Sequence, residues 1–456
     1  MTALALALTV PWAAGTVIAL LDGRRRAVGW AAVVALGANL AAVAVLTVSV
    51  LDNGPVSATT GGWPRGVGIT LRADALGVLF ALTSSFVVLM AMVHEVVEGV
   101  RERIFPGLVV LLTAGLTGVF LTGDVFNFYV FFELAMTASY ILATYGGTRR
   151  ELGAALVFTA VNLLGTFIFL LSVAGLYHVT GSLDMQTVAA RMADVNANAA
   201  VLIAVGFFAA FGVKLGLFPF HFWLPTVYTS VRPAVAAILS GAVANIGTYG
   251  LLRFGGELLP RELELAGTAL VVIGSASIVY GGVLAISRNS AGEMLAYSAI
   301  GQVGYVLVAI GLGGAAGFDA AILYAVVNAL NKTLLFLSAQ MRGAVVGAVF
   351  ALGAFSVVGV PPAGGFVGKL ELFRAAAGSP AVIALFFVGS ALSFVYAFQI
   401  YQHDFWRAPR RGVPSAASEQ AVVVALALLV LAAGVWPEPL LALSHDAAQV
   451  LTGGGR

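Results

Sequence analysis

The sequence has no cysteine, only three lysines and little charge of either sign. Without cysteine there is no disulfide, no thiolate zinc site and no iron–sulfur cluster. Charged residues are 10% of the 456, and hydrophobic residues are 60%. That is too little charge to cover a water-soluble chain of this length. A net charge of +2 gives no reason to expect a nucleic-acid partner. Nor is there any long polar stretch from which to build a soluble domain.

What is present is a succession of apolar runs, each near the ~20 residues that cross a hydrocarbon core. The runs predict an all-α polytopic membrane protein of about fourteen spans, forming a single membrane domain over 1–456. Their ranges are 3–21, 28–51, 73–94, 104–122, 124–145, 152–177, 198–229, 233–254, 265–287, 292–312, 318–340, 345–375, 379–405 and 418–443. The first run, Thr2 to Leu21, has no basic stretch before it and reads as a span, not a cleaved signal. Between Gly181 and Asn198, the spacing of Met185, Val188, Ala189 and Met192 predicts a short interfacial helix. The polar stretch Asp52–Arg72 also stands out.

Arginine orients the chain. Loops after odd-numbered spans hold thirteen arginines, among them Arg24, Arg101, Arg149, Arg232, Arg288, Arg342, Arg407, Arg410 and Arg411. The opposite side holds seven: Arg65, Arg72, Arg191, Arg253, Arg261, Arg374 and Arg456. The excess of basic residues in cytoplasmic loops places the odd loops inside and both termini outside.

The lysines fall elsewhere. Lys214, Lys332 and Lys369 all lie within apolar spans, so the pattern reads as arginine at the surfaces and lysine inside. A coding bias for arginine explains missing surface lysines but not the position of these three. An ionisable group at mid-membrane costs at least ~2.5–3.5 kcal/mol on insertion scales, and it normally faces protein interior or water. A buried ammonium can lose its proton in the working range, whereas guanidinium stays charged. One central carboxylate accompanies them, Glu133. Four such groups on four spans suit a proton relay; a structural ion pair needs only two.

Two spans carry breaks. Pro219 and Pro225 follow Lys214, and Pro361, Pro362, Gly364 and Gly365 precede Lys369. Proline removes a backbone donor, so the seventh and twelfth helices are expected to be discontinuous, as at transporter ion sites. The fragments Phe-Gly-Val-Lys (211–214) and Phe-Val-Gly-Lys (366–369) recur five spans apart, and an odd spacing inverts the second unit. Residues 104–254 and 265–405, spans 4–8 and 9–13, therefore read as two inverted five-helix repeats. His221, just past the first break, suits either proton transfer or a bond to a freed carbonyl. Asp124 suits a helix N-terminus better than a cation site. Glu371 sits near the outer interface.

Four strings then resemble a known family. They run from Thr122 to Glu133 (Thr-Gly-Asp-Val-Phe-Asn-Phe-Tyr-Val-Phe-Phe-Glu), Phe220 to Pro225, Leu295 to Tyr305, and Gly359 to Lys369. They are similar to the proton-conducting, antiporter-like membrane subunits of respiratory complex I, membrane-bound hydrogenases and Mrp-type Na+/H+ antiporters. The first string most resembles the D-type Mrp subunit. The resemblance implies a line of mid-membrane charge: Glu133 beside Lys214, then Lys332, then Lys369 near the outward half-channel. It implies no cofactor or metal, other membrane subunits as partners, protons and Na+ as the transported ions, and a bacterial cell (inner) membrane. It implies a transporter subunit, not an enzyme in itself.

Three departures stand out. Asn245 occupies the eighth-span position where many relatives have lysine or histidine, and an amide cannot take up a proton at neutral pH. A water or nearby His221 would have to bridge there. Asn328 stands where a histidine is common, and the Arg342–Val349 connection is short. Two other functions remain open on the sequence: a subunit of a redox-driven pump, and a non-transporting scaffold whose buried charges hold packing together.

Overall fold

The computed structural model describes residues 2–64, 66–407 and 415–453, without the Arg407 side chain. Arg65, Arg410, Arg411 and Arg456 of the orientation argument lie outside the described residues, as does the side chain of Arg407. Among the described residues the chain is helical but for one hairpin. In order, the elements are α1 Thr2–Leu20, α2 Arg26–Asn53, β1 Val56–Thr59, β2 Thr70–Ala73, α3 Ala75–Glu98, α4 Phe105–Phe120, α5 Val125–Leu142, α6 Arg149–Thr180 and α7 Met185–Met192. Then follow α8 Ala197–Leu215, α9 Trp223–Tyr228, α10 Pro233–Leu258, α11 Pro260–Ile286, α12 Ala291–Leu312 and α13 Gly314–Ser338. The last are α14 Ala344–Val358, α15 Gly364–Ala375, α16 Pro380–Tyr401, α17 Ala417–Val435 and α18 Glu438–Leu451.

Among the described residues, twelve segments are long and apolar enough to cross a membrane, and two shorter apolar helices, α4 and α14, lie among them. Together they give about fourteen spans in the expected order. The lipid-sized outer helices and the inner ones differ in what they cover. Only 33% of the best window of α1 is buried within the chain, against 94% for α10 and for α13. Lys332 and Arg253 sit on these two helices of least lipid contact, as the cost of exposing charge to hydrocarbon requires. Close helix approach is made by small residues. A Cβ on Gly274 would meet the Gly304 carbonyl oxygen at 2.8 Å, and one on Gly281 would meet the Gly301 nitrogen at 2.5 Å, so α11 and α12 touch backbone to backbone.

Both expected breaks are present, and they are built alike. After α8, Gly216 takes a left-handed φ of 64°, and the Leu217 N–H returns to the Gly212 carbonyl at 3.3 Å. After α14, Gly359 takes φ 92°, and the Val360 N–H returns to the Phe355 carbonyl at 3.0 Å. A left-handed cap of this kind is open to glycine because it lacks a Cβ. Freed backbone groups find side chains: Trp223 Nε1 donates to the Val213 carbonyl at 3.0 Å, and the Gly365 N–H donates to Ser356 Oγ at 3.0 Å.

The lysine tetrapeptides do not share a place in these breaks. Lys214 precedes its glycine cap, whereas Lys369 follows its own, on the far segment α15. Aligning the caps puts Val357 opposite Lys214. The recurring feature is the glycine-capped break, and the sequence match around the lysines is coincidental to it.

The short helix expected between Gly181 and Asn198 is α7, with Met185, Val188 and Met192 buried. The polar stretch Asp52–Arg72 holds most of a hairpin, with β1 antiparallel to β2 and Val56 opposite Ala73. The last span ends earlier than the apolar run suggests. α17 stops at Val435, and α18 begins as a separate helix after Pro437.

Candidate functional site

Lys214 is the penultimate residue of α8 and is 4% exposed. Its Nζ meets the Met136 sulfur and lies 4.7 Å from the centroid of the Phe132 ring. Both partners belong to α5, and Glu133 lies between them in sequence. The Glu133 charge acts on Lys214 through space, yet among the described residues no carboxylate oxygen stands within 4.0 Å of the ammonium. Glu133 Oε1 is buried without a hydrogen-bond partner. The pair is adjacent but not locked, and the orphaned oxygen is where a water belongs.

Lys332 sits centrally on α13, 6% exposed, and likewise makes no ion pair among the described residues. It lines a cavity of ≈ 10 Å³ with Asn328, Asn245, Ser240 and Leu215. That volume is about one water. Leu215 is the neighbour of Lys214, so the cavity joins the α8 lysine's surroundings to Lys332. Asn245 donates to the Gly241 carbonyl at 3.0 Å and to Ser84 Oγ at 3.3 Å. It stands between two π-helical stretches of α10, Leu239–Val243 and Leu251–Leu258, and such bulges frequently mark functional sites. Asn328 Oδ1, Asn331 Oδ1 and Ser240 Oγ are buried without partners. Of these, Asn328 and Ser240 line the cavity and offer acceptors to a water there.

Lys369 is 3% exposed, donates to Ser390 Oγ at 2.9 Å and lies 4.7 Å from the Tyr305 ring centroid. Between Lys332 and Lys369 runs a buried group of neutral polar side chains. Tyr324, on the Lys332 helix, bonds to Gln302 Oε1; Gln302 Nε2 donates to Tyr396 Oη at 3.0 Å; and Tyr396 pairs with Ser298 Oγ at 2.8 Å. The Tyr324 ring in turn packs 5.6 Å from that of Tyr305. Gln302 and Tyr305 lie within the string Leu295–Tyr305, but the sequence carried no hint of their partners on α16.

The remaining candidates fall outside this line. His221 Nε2 bonds to Tyr280 Oη of α11 at 2.7 Å, so it faces α11 and not the Asn245 cavity. The water-sized cavity, and not His221, adjoins Asn245. Asp124 caps α5, its Oδ1 accepting from the Asn127 N–H at 2.7 Å. Burial, and repulsion from Asp184, push its carboxyl above the ordinary 3.8 in spite of its backbone hydrogen bonds. Glu371 pairs with Arg374 at the surface.

The division into surface arginine and buried lysine does not hold. Arg253 is 2% exposed within α10. Its Nη2 lies 2.7 Å from Asp74 Oδ1 and its Nη1 2.5 Å from Glu257 Oε2. Arg72 completes the cluster, pairing with Asp74 at 3.0 Å and with Glu257. At the other end of the bundle Arg232 pairs with Glu98 at 2.5 Å and Glu95 at 3.6 Å, and Tyr145 Oη donates to Glu95 at 2.6 Å. Buried arginines here are paired with carboxylates, and the buried lysines are not. That contrast was invisible in sequence because the buried partner Asp74 stands 179 residues from Arg253.

A polytopic helical chain with two glycine-capped breaks and unpaired lysines buried in its helices is an antiporter-like membrane subunit. The chain belongs to the NADH:quinone oxidoreductase/Mrp antiporter transmembrane family, which it matches over residues 122–393. It is 28% identical over 438 residues to the putative antiporter subunit mnhD2 of Staphylococcus aureus (strain MRSA252), an alignment covering 90% of this chain and 87% of that protein. Its fold is similar to a chain of the Mrp complex from Dietzia sp. DQ12-45-1b (TM-score 0.89, 27% identity, 98% of this chain and 97% of that one). It also resembles, in fold, a chain of respiratory complex I from Thermus thermophilus (TM-score 0.87, 24% identity, 99% of this chain and 100% of that one).

Proposed function

We propose that this chain carries protons within a multisubunit Mrp-type Na+/H+ antiporter of a bacterial cell membrane. Protons pass along Glu133, Lys214, Lys332 and Lys369, with a water in the Asn245 cavity standing in for the missing eighth-span base. The carrying observation is that all three lysines are buried and none has a carboxylate of the described residues within ion-pair distance. A scaffold role would favour the saturated pairing that Arg253 displays, because an uncompensated buried charge costs several kcal/mol. A lysine without a fixed counter-ion is instead free to exchange its proton. The two equivalent breaks support the reading of 104–254 and 265–405 as inverted repeats. The arginine bias supports cytoplasmic odd loops and outward termini.

The test is Lys214→Ala in the assembled complex, with Na+-driven collapse of a pH gradient followed in vesicles. The reading predicts that collapse is abolished. Unchanged collapse would remove the relay. The likeness to complex I favours a second reading, an antiporter-like subunit of a redox-driven pump. Co-purification separates the two: flavin or iron–sulfur partners support the pump, and small membrane subunits alone support the antiporter.

A further inference from the structure

A second cavity lies at the arginine-rich end of the bundle, and it holds a histidine that the relay does not use. Its volume is ≈ 410 Å³, and it is lined by His94 and Glu98 of α3, by Arg232 and Pro233 at the start of α10, by Leu337 of α13 and by Glu419 of α17. His94 is 3% exposed, and both ring nitrogens are buried without a hydrogen-bond partner. A buried imidazole with two empty hydrogen-bonding positions is costly unless water fills them. The cavity that His94 lines is large enough to hold such water beside the ring. The charges around the ring come from several elements: Glu95 and Glu98 on its own helix, Arg101 beyond it, Arg232 before α10 and Glu419 on α17. Charges of both signs therefore face the ring.

The cavity points along the helices that hold Lys332. Leu337 follows Lys332 by five residues, roughly 7.5 Å along α13. Pro233 precedes Ser240, which lines the Lys332 cavity, by roughly 10 Å along α10. The three helices come together at Gly241, beside this interval. A Cβ on Gly241 would meet Thr333 Oγ1 at 2.5 Å, the Ala329 carbonyl at 3.0 Å and Val87 of α3 at 3.0 Å. The unpartnered Ser240 Oγ lies at the inner end of this stretch and lines the Lys332 cavity.

We infer that His94 is the port through which Lys332 exchanges protons with the arginine-rich side of the membrane. The imidazole takes a proton from cavity water on one ring nitrogen and releases one from the other. Water held by Ser240 carries the proton on to the Lys332 amine. Imidazole suits this step because its two nitrogens serve as donor and acceptor in turn.

This inference rests on the relay proposed above, and the experiment separates the two. In vesicles containing the whole complex, His94→Gln should slow antiport at least about tenfold with subunit assembly unchanged. His94→Ala should be equally slow, and added imidazole, small enough for the vacated site, should restore the rate several-fold. A merely structural histidine would not respond to free imidazole. If Lys332→Met abolishes antiport while both His94 variants run within twofold of the unsubstituted complex, the port is wrong and the relay stands. If Lys332→Met leaves antiport intact, the relay fails and the port with it.

Discussion

Asn245 and Lys332 line the same small cavity, one from α10 and the other from α13. An amide orients a water but does not carry its proton, so in the proposed relay Asn245 would hold the water and Lys332 would exchange with it. Asn245→Leu fills the cavity with carbon and removes both hydrogen bonds. It should reduce antiport at least tenfold, measured as gradient collapse in vesicles, with the complex still assembled. Asn245→His restores a titratable group there and should retain transport, with a pH profile different from that of the parent chain.

Arg253 and Asp74 tie α10 to the start of α3, with Glu257 and Arg72 completing the cluster. Arg253→Ala leaves the Asp74 and Glu257 carboxylates sharing Arg72 as their one counter-ion and should cost about 3–5 kcal/mol. Thermal unfolding in detergent would register this as a large fall in midpoint. The double variant Asp74→Leu, Arg253→Met removes both charges and should fall less than the single one. Equal losses would mean that packing, not charge pairing, dominates at this position.

The spans and their breaks were legible because both are local properties. Hydrophobic length sets a span, and Pro219, Pro361 and Pro362 interrupt a ladder whatever surrounds them. The lysines were legible because hydrocarbon makes each one conspicuous. Arg253 was not: it sits near the end of its span and reads as a loop residue until Asp74 and Glu257 are seen around it. His94 went unnoticed for the same reason, since its cavity is assembled from segments more than 300 residues apart in sequence. The lysine tetrapeptides illustrate the reverse error. A match of four residues suggested equivalence, and the glycine caps at Gly216 and Gly359 showed the lysines on opposite sides of their breaks.

Asp124 offers a test of capping against charge. Its pKa is raised by burial and by Asp184, so the charged carboxylate is disfavoured in the folded chain. Its contribution is then most favourable at low pH and is lost as pH rises through the folded pKa, which lies above 3.8. Asp124→Asn keeps the cap without the charge. It should match or exceed the parent stability at pH 7, and that advantage should shrink on acidification. Asp124→Ala loses the cap and should cost about 1 kcal/mol at either pH. Thermal midpoints at two pH values decide the matter.

The central claim is that the buried lysines work by exchanging protons and not by holding charge. Lys332→Arg tests it most directly, since guanidinium keeps the charge and does not release its proton. Na+-driven gradient collapse should be measured in vesicles carrying the assembled variant complex. The account predicts a loss of at least tenfold, as severe as that of Lys332→Met. Antiport by Lys332→Arg at the rate of the parent complex would contradict it.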